Sequence, residues 1–152
     1  MEHIERKVLS LVNTHKTNCP YRISKAMGIH IVHENLGNTL GYYSKHFRIK
    51  VIHINENLDE EEKEFVCAHE LGHALHHSDA NTPFLKKHTL FSTDKIEQEA
   101  NAFAMNLLFH EKDLNEHVTI EDALHKYGIP QKLLKSRSIF FYPNKEHTFA
   151  NL

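Results

Sequence analysis

The chain has 152 residues, 40% hydrophobic and 25% charged, with a formal net charge of -2. That suffices for one soluble domain with a core of its own, and it gives no general attraction to nucleic acid or to an anionic membrane surface. Cys19 and Cys67 lie far apart and outside any C-x-x-C pair, which argues against a disulfide framework. The opening Met1 to Lys7 is charged rather than signal-like, and no apolar run is long enough for a membrane span. A cytoplasmic protein with no membrane partner is expected.

In chain order, Ile4, Val8, Leu9, Leu11 and Val12 keep helical spacing and predict an amphipathic helix. Pro20 restarts the chain, and Arg22 to Met27 reads as a short helix ending at Gly28. The run Ile23 to Ile29 superficially resembles the opening of a helix-turn-helix. No recognition helix follows it, so direct nucleic-acid binding is not expected, even with Lys132, Lys135 and Arg137 near the other end. Strand-like pieces come next: Ile29 to His33, then turn signals at Gly37-Asn38 and Gly41, then Tyr42-Tyr43 and Ile49 to Ile54. They predict a small sheet, antiparallel at least in part. His30, His33, His46 and His53 read as strand-surface or turn residues.

The strongest chemical signal is His69-Glu70-Leu71-Gly72-His73, inside a helix predicted from about Asp59 to His77. At i and i+4 two imidazoles stand on one helical face, one turn apart, the separation that two ligands of a single zinc ion require. Glu70 is one step round the cylinder, where a carboxylate can serve as general base without being a ligand. Asp59 and Glu62 form a capping box that starts the helix, and Phe65, Ala68, Gly72 and Leu75 trace an inward stripe beside Val66, His69, His73 and His77. Gly72 costs helix stability; close approach of another backbone would explain it, and so would ordinary tolerance of a helical glycine. His77 lies one further turn along. Three positions over two turns cannot all converge on one ion, so His76 and His77 are expected to end the helix or to act behind the ligands.

Ser78 to Phe91 is a long connection with Pro83 and the basic Lys86-Lys87-His88. The next helix starts at a second capping-box pattern, Asp94 with Glu97, and buries Ile96, Ala100, Phe103 and Leu107. Two glutamates compete as the third metal ligand, Glu97 and Glu99. Because Glu97 has a local task at the cap, Glu99 is the expected ligand, joining His69 and His73 and leaving a fourth position for water. Beyond His110, Thr119 to Tyr127 and Gln131 to Ser138 read as short helices, and Phe140-Phe141-Tyr142-Pro143 as an apolar tail. The organisation expected is one domain over 1–152, with a zinc core at about 20–137 and a tail at 138–152.

His69-Glu70-Leu71-Gly72-His73-Ala74-Leu75, with His77 after it and Glu97-Gln98-Glu99-Ala100-Asn101-Ala102-Phe103-Ala104 downstream, resembles the ImmA/IrrE metallo-endopeptidases of bacteria, their phages and mobile elements. Pro20 to Ile29, Ile49 to Asn55 and Tyr127 to Arg137 match more loosely. His76 departs from the family pattern, which usually has an apolar residue there. The resemblance implies an α+β, zincin-like fold: a small twisted sheet packed on helices that include the H-E-x-x-H helix. It also implies one Zn2+ on His69, His73 and a glutamate best matched by Glu99, with Glu70 as catalytic base. The implied activity is endopeptidase hydrolysis of a partner protein, a helix-turn-helix transcriptional repressor of a phage or mobile element. The alternative is a module that sequesters the repressor without cutting it, although such a binder has no need of Glu70.

Overall fold

Each helix is specified by where its apolar residues recur. In the computed structural model, which describes residues 2–79, 82, 84–87, 89–109, 125 and 127, helix α1 (Glu2–His15) buries Ile4, Val8, Leu11 and Val12, while Leu9 stays exposed. Helix α2 (Pro20–Ala26) begins with Pro20 in its first turn, where a missing N–H costs nothing, and turns off at Gly28 with φ +72°. Strand β1 (His30–Glu34) follows at once, so no recognition helix succeeds α2. The segments predicted beyond His110, with Lys132, Lys135, Arg137 and the apolar tail, lie outside the described residues apart from His125 and Tyr127.

Strands β2 (Gly41–His46) and β3 (Ile49–Asn55) complete a three-stranded sheet in the order β1-β3-β2. β2 runs antiparallel to β3, and β1 runs parallel to it, with His30 opposite Val51 and Tyr42 opposite His53. The sheet is therefore mixed, and β2 is left as an edge. Asn55 fixes its far end: buried, it donates from Nδ2 to the carbonyls of Gly37 and Thr39, at 2.9 Å each, and holds the β1–β2 loop against the strand. The four strand histidines stand on the sheet, away from the helical ligands. His53 lies between Glu34 Oε1 at Nδ1 (2.6 Å) and Ser44 Oγ at Nε2 (3.0 Å).

Helix α3 (Glu60–His76) starts at the predicted capping box: Glu62 N–H donates to Asp59, and the Glu62 carboxylate accepts from Asp59 N–H. An inward stripe with the histidine-bearing stripe beside it was expected, but every residue from Phe65 to Ala74 is buried. α3 lies between the sheet on one side and α2 and α4 on the others, so it has no solvent face from Phe65 to Ala74. Helix α4 (Lys95–Leu108) crosses it, preceded by a 3-10 turn at Thr89–Phe91. The expected reason for Gly72 holds: a Cβ there would meet Ala100 Cα and Phe103 Cβ at 3.2 Å, so its absence lets α4 approach. None of the described helices is long and apolar enough to cross a membrane.

Gly41 is a tighter case than its reading as a turn residue suggested. A Cβ at this position would overlap Val66 Cγ1 and lie 2.7 Å from the His53 carbonyl oxygen. Gly41→Ala is expected to destabilise the protein by about 1–3 kcal/mol, because neither a strand backbone nor a buried valine can yield. Urea titration should show a lower midpoint at unchanged slope; an unchanged midpoint would mean that β2 moves off α3 freely.

Candidate metal centre

His69 and His73 project from α3 one turn apart, both buried, and α4 brings one carboxylate against them. That carboxylate is Glu97. Its Oε2 lies 3.3 Å from His69 Nε2, its Oε1 3.2 Å from His73 Nε2, and the two Nε2 atoms are 3.1 Å apart. The expectation of Glu99 as ligand is corrected: Glu99 Oε2 lies 2.8 Å from His77 Nε2 instead. A complete capping box would have held Glu97 at the start of the helix. Asp94 does cap α4, accepting from Ile96 N–H, but the Asp94 N–H goes to Ser92 Oγ at 3.1 Å. Ser92 thus takes over the reciprocal half of the box, and Glu97 is free to turn inward. A serine two residues before the cap was the overlooked signal.

Hydrogen bonds on the far side of each imidazole set its tautomer. His69 Nδ1 lies 2.9 Å from Asn101 Oδ1, and Asn101 Nδ2 donates to the Leu90 carbonyl at 3.1 Å. Since Nδ2 is the donor, Oδ1 accepts from His69, which leaves a lone pair on Nε2. His73 Nδ1 faces His77 Nδ1 at 3.2 Å, and His77 Nε2 faces the Glu99 carboxylate. A carboxylate accepts, so His77 carries its proton on Nε2, His73 donates from Nδ1, and His73 Nε2 also holds a lone pair.

Two imidazole lone pairs and a carboxylate therefore converge in a buried space, and neither Glu97 oxygen has a hydrogen-bond donor among the described residues. Burial pushes the Glu97 carboxyl up, and hydrogen bonds and positive charge from His69 and His73 outweigh it and bring it down to about 2, which in the metal-free site requires a proton on a facing Nε2. An ionised, buried carboxylate needs positive charge beside it. A second proton on one imidazole would serve one contact; a cation between the three atoms serves all of them. The spacing agrees, because bonds of about 2.0–2.1 Å at tetrahedral angles put ligand atoms roughly 3.3 Å apart. His69, His73 and Glu97 are the group of such residues among those described whose donor atoms lie within 4.8 Å of one another.

Glu70 is fully buried beside this triad, and neither of its oxygens has a hydrogen-bond partner among the described residues. Burial raises its carboxyl to about 8, with His73 opposing, Glu97 adding, and the Tyr43 backbone amide opposing. A cation at the triad would lower it again. Beside Tyr43 a groove of about 500 Å³ opens between β2, from Tyr42 to His46, and Ser78, Asp79, Thr82 and Phe84 of the α3–α4 connection.

Asn101 is as buried as the ligands. Asn101→Ala is expected to leave His69 Nδ1–H and the Leu90 carbonyl without partners, at about 1–3 kcal/mol for each. A melt of the metal-free protein that did not move would show that neither bond contributes.

Two imidazoles and one carboxylate around a cation-sized gap, with a second, unpaired carboxylate alongside, define a metallopeptidase centre. Relatives agree. The profile of the IrrE N-terminal-like domain, peptidase family M78, matches residues 24–137. An uncharacterised immunity region protein 2 of Bacillus phage phi105 is 42% identical over 135 residues, covering 86% of this chain and 85% of the phage protein. Metallopeptidase ImmA of Bacillus subtilis strain 168 is 40% identical over 115 residues, covering 74% of this chain and 67% of that protein. No solved structure matches significantly. The chain belongs to the ImmA/IrrE family, as the sequence motifs implied, and is a metallopeptidase with the α+β fold expected of it.

Proposed function

We propose that the protein is a zinc-dependent endopeptidase that cuts a partner protein, a helix-turn-helix repressor of the phage or mobile element that encodes it. The observation that carries the chemistry is the convergence of His69 Nε2 and His73 Nε2, 3.1 Å apart, each with one Glu97 oxygen at 3.3 and 3.2 Å respectively, beside the unpaired Glu70. His69, His73 and Glu97 would hold the ion. Zinc bound there supplies Lewis acidity, which polarises a carbonyl and lowers the pKa of water. Glu70 is the general base: it takes the proton from the attacking water and delivers it to the departing amine. Its buried, apolar setting keeps its proton affinity high enough for both transfers.

The edge strand β2 is the place for the substrate backbone. Alternation along the strand turns the backbone groups of Gly41, Tyr43 and Lys45 away from β3. Leu85 N–H already bonds Gly41 O and Thr82 Oγ1 the Tyr43 carbonyl, so a substrate strand would have to displace that part of the α3–α4 connection or pair from Lys45 onwards. An extended peptide pairing with that edge would pass the Tyr43 amide next to Glu70 and continue into the groove. The choice of a repressor rests on the relatives, one named as an immunity region protein of a phage and the other as the metallopeptidase ImmA.

The test is relief of repression in cells that carry the cognate repressor and a reporter. Wild type should release the reporter and Glu70→Gln should not, at equal protein level. Full release by Glu70→Gln would favour the sequestering module, since binding alone would then suffice.

A further inference from the structure

We propose that His77 and Glu99 form a positioning relay that locks His73 in its ligating tautomer and strengthens it as a donor, so that α4 grips the metal centre from behind as well as in front. This rests on the ligand set of His69, His73 and Glu97 proposed above. The chain of contacts is continuous: His73 Nδ1 to His77 Nδ1 at 3.2 Å, then His77 Nε2 to Glu99 Oε2 at 2.8 Å. α3 ends at His76, and His77 is its C-cap, with φ -129° and ψ 35° and its N–H on the His73 carbonyl. A histidine at i+4 from His73 thus stands behind the ligand, where its ring nitrogens join His73 to α4.

The relay has a defined direction. Glu99 has no proton to give when ionised, so the His77 Nε2–H donates to it, His77 Nδ1 becomes an acceptor, and His73 Nδ1–H donates to His77. His73 Nε2 is then obliged to present its lone pair to the front of the site. Negative charge at the far end of the chain draws the His73 proton outward and makes the imidazole a better ligand, as carboxylates behind metal-binding histidines do. The surroundings support an ionised Glu99. The His77 and Glu99 side chains are only 9% and 13% exposed, and the other Glu99 oxygen, Oε1, has Lys95 Nζ at 3.8 Å and His3 Nε2 at 3.9 Å.

His69 has a different backing, the neutral Asn101 amide fixed by a carbonyl. The two ligands are therefore not equivalent, and the charged relay serves His73 alone. Glu97, Glu99 and Asn101 divide the work of one helix turn: a ligand, and one anchor for each histidine.

The test is zinc affinity of the full chain, measured by competition with a chromophoric chelator, together with the visible spectrum of the Co2+-loaded protein. His77→Phe keeps the bulk and removes the relay, and Glu99→Ala removes its charged end. Each is expected to weaken zinc binding roughly 10–100-fold and to shift the Co2+ bands. His77→Gln, whose amide can accept on one side and donate on the other, should recover part of the affinity, which lost packing alone would not allow. Wild-type affinity and an unchanged Co2+ spectrum in both His77→Phe and Glu99→Ala, alongside loss of metal in His73→Ala, would overturn the relay and leave the ligand set intact. Retention of metal by His73→Ala would overturn the ligand set, and the relay with it.

Discussion

Glu97→Ala is expected to leave the purified protein without its metal, whereas Glu99→Ala binds a full equivalent at saturating zinc and only holds it more weakly. The two residues are two positions apart on α4, about 200° round the helix, and chemically identical, so the comparison isolates geometry. Glu97 places one oxygen 3.3 Å from His69 Nε2 and the other 3.2 Å from His73 Nε2, while Glu99 reaches only the outer face of His77. With the ligand set proposed above, removing Glu97 takes away one of three protein ligands and the negative charge that would offset a buried dication. The loss should exceed the ~100-fold upper range of an outer-shell change. Far-UV circular dichroism checks that both variants remain folded, and elemental analysis with chelator competition reads the difference. Equal loss in both would mean that α4 sits differently on α3 in solution.

Glu70→Gln should show the opposite pattern, with metal retained and hydrolysis lost. A positioned general base contributes roughly 10²–10⁴-fold to rate, and the amide cannot take the proton. The same variant reads the cost of burying Glu70. In the metal-free protein the folded-state pKa is raised by burial to about 8, above the ordinary 4.5. The protonated form is thus favoured by folding, and stability from this group falls as pH rises from near 4.5 towards 8. Glu70→Gln cannot ionise, so its denaturation midpoint should lack that part of the fall. Parallel pH profiles for the two metal-free proteins would show that Glu70 is solvated or paired in solution.

The sequence made legible what depends on short-range spacing. His69 and His73 follow from the i, i+4 rule, the start of α3 from Asp59 and Glu62, and the close approach of α4 from a glycine at 72 in an otherwise good helix. The choice between Glu97 and Glu99 depended instead on a competition. A capping box and a metal site both claim Glu97, and the outcome turned on Ser92, whose hydroxyl satisfies the Asp94 N–H and releases the glutamate. The parallel pairing of β1 with β3 was equally hidden, because it depends on which side of the β2–β3 pair β1 joins, a long-range choice that no residue pattern within the strand records. The complete burial of α3 from Phe65 to Ala74 escaped a pattern of stripes for a related reason: the sheet covers a face that an isolated amphipathic helix would give to water. Glu99 read as the third ligand and His77 as a residue that ends the helix or acts behind the ligands, and the fold joins the two to each other.

The most direct measurement is the intact mass of helix-turn-helix repressors from the same genome after incubation with the zinc-loaded protein, beside Glu97→Ala and Glu70→Gln. The proposed function predicts that one repressor is converted by wild type alone into two fragments whose masses sum to the parent plus one water. A repressor that forms a stable complex with the wild-type protein and keeps its full mass would contradict it, and would make this metal centre the scaffold of a binding module.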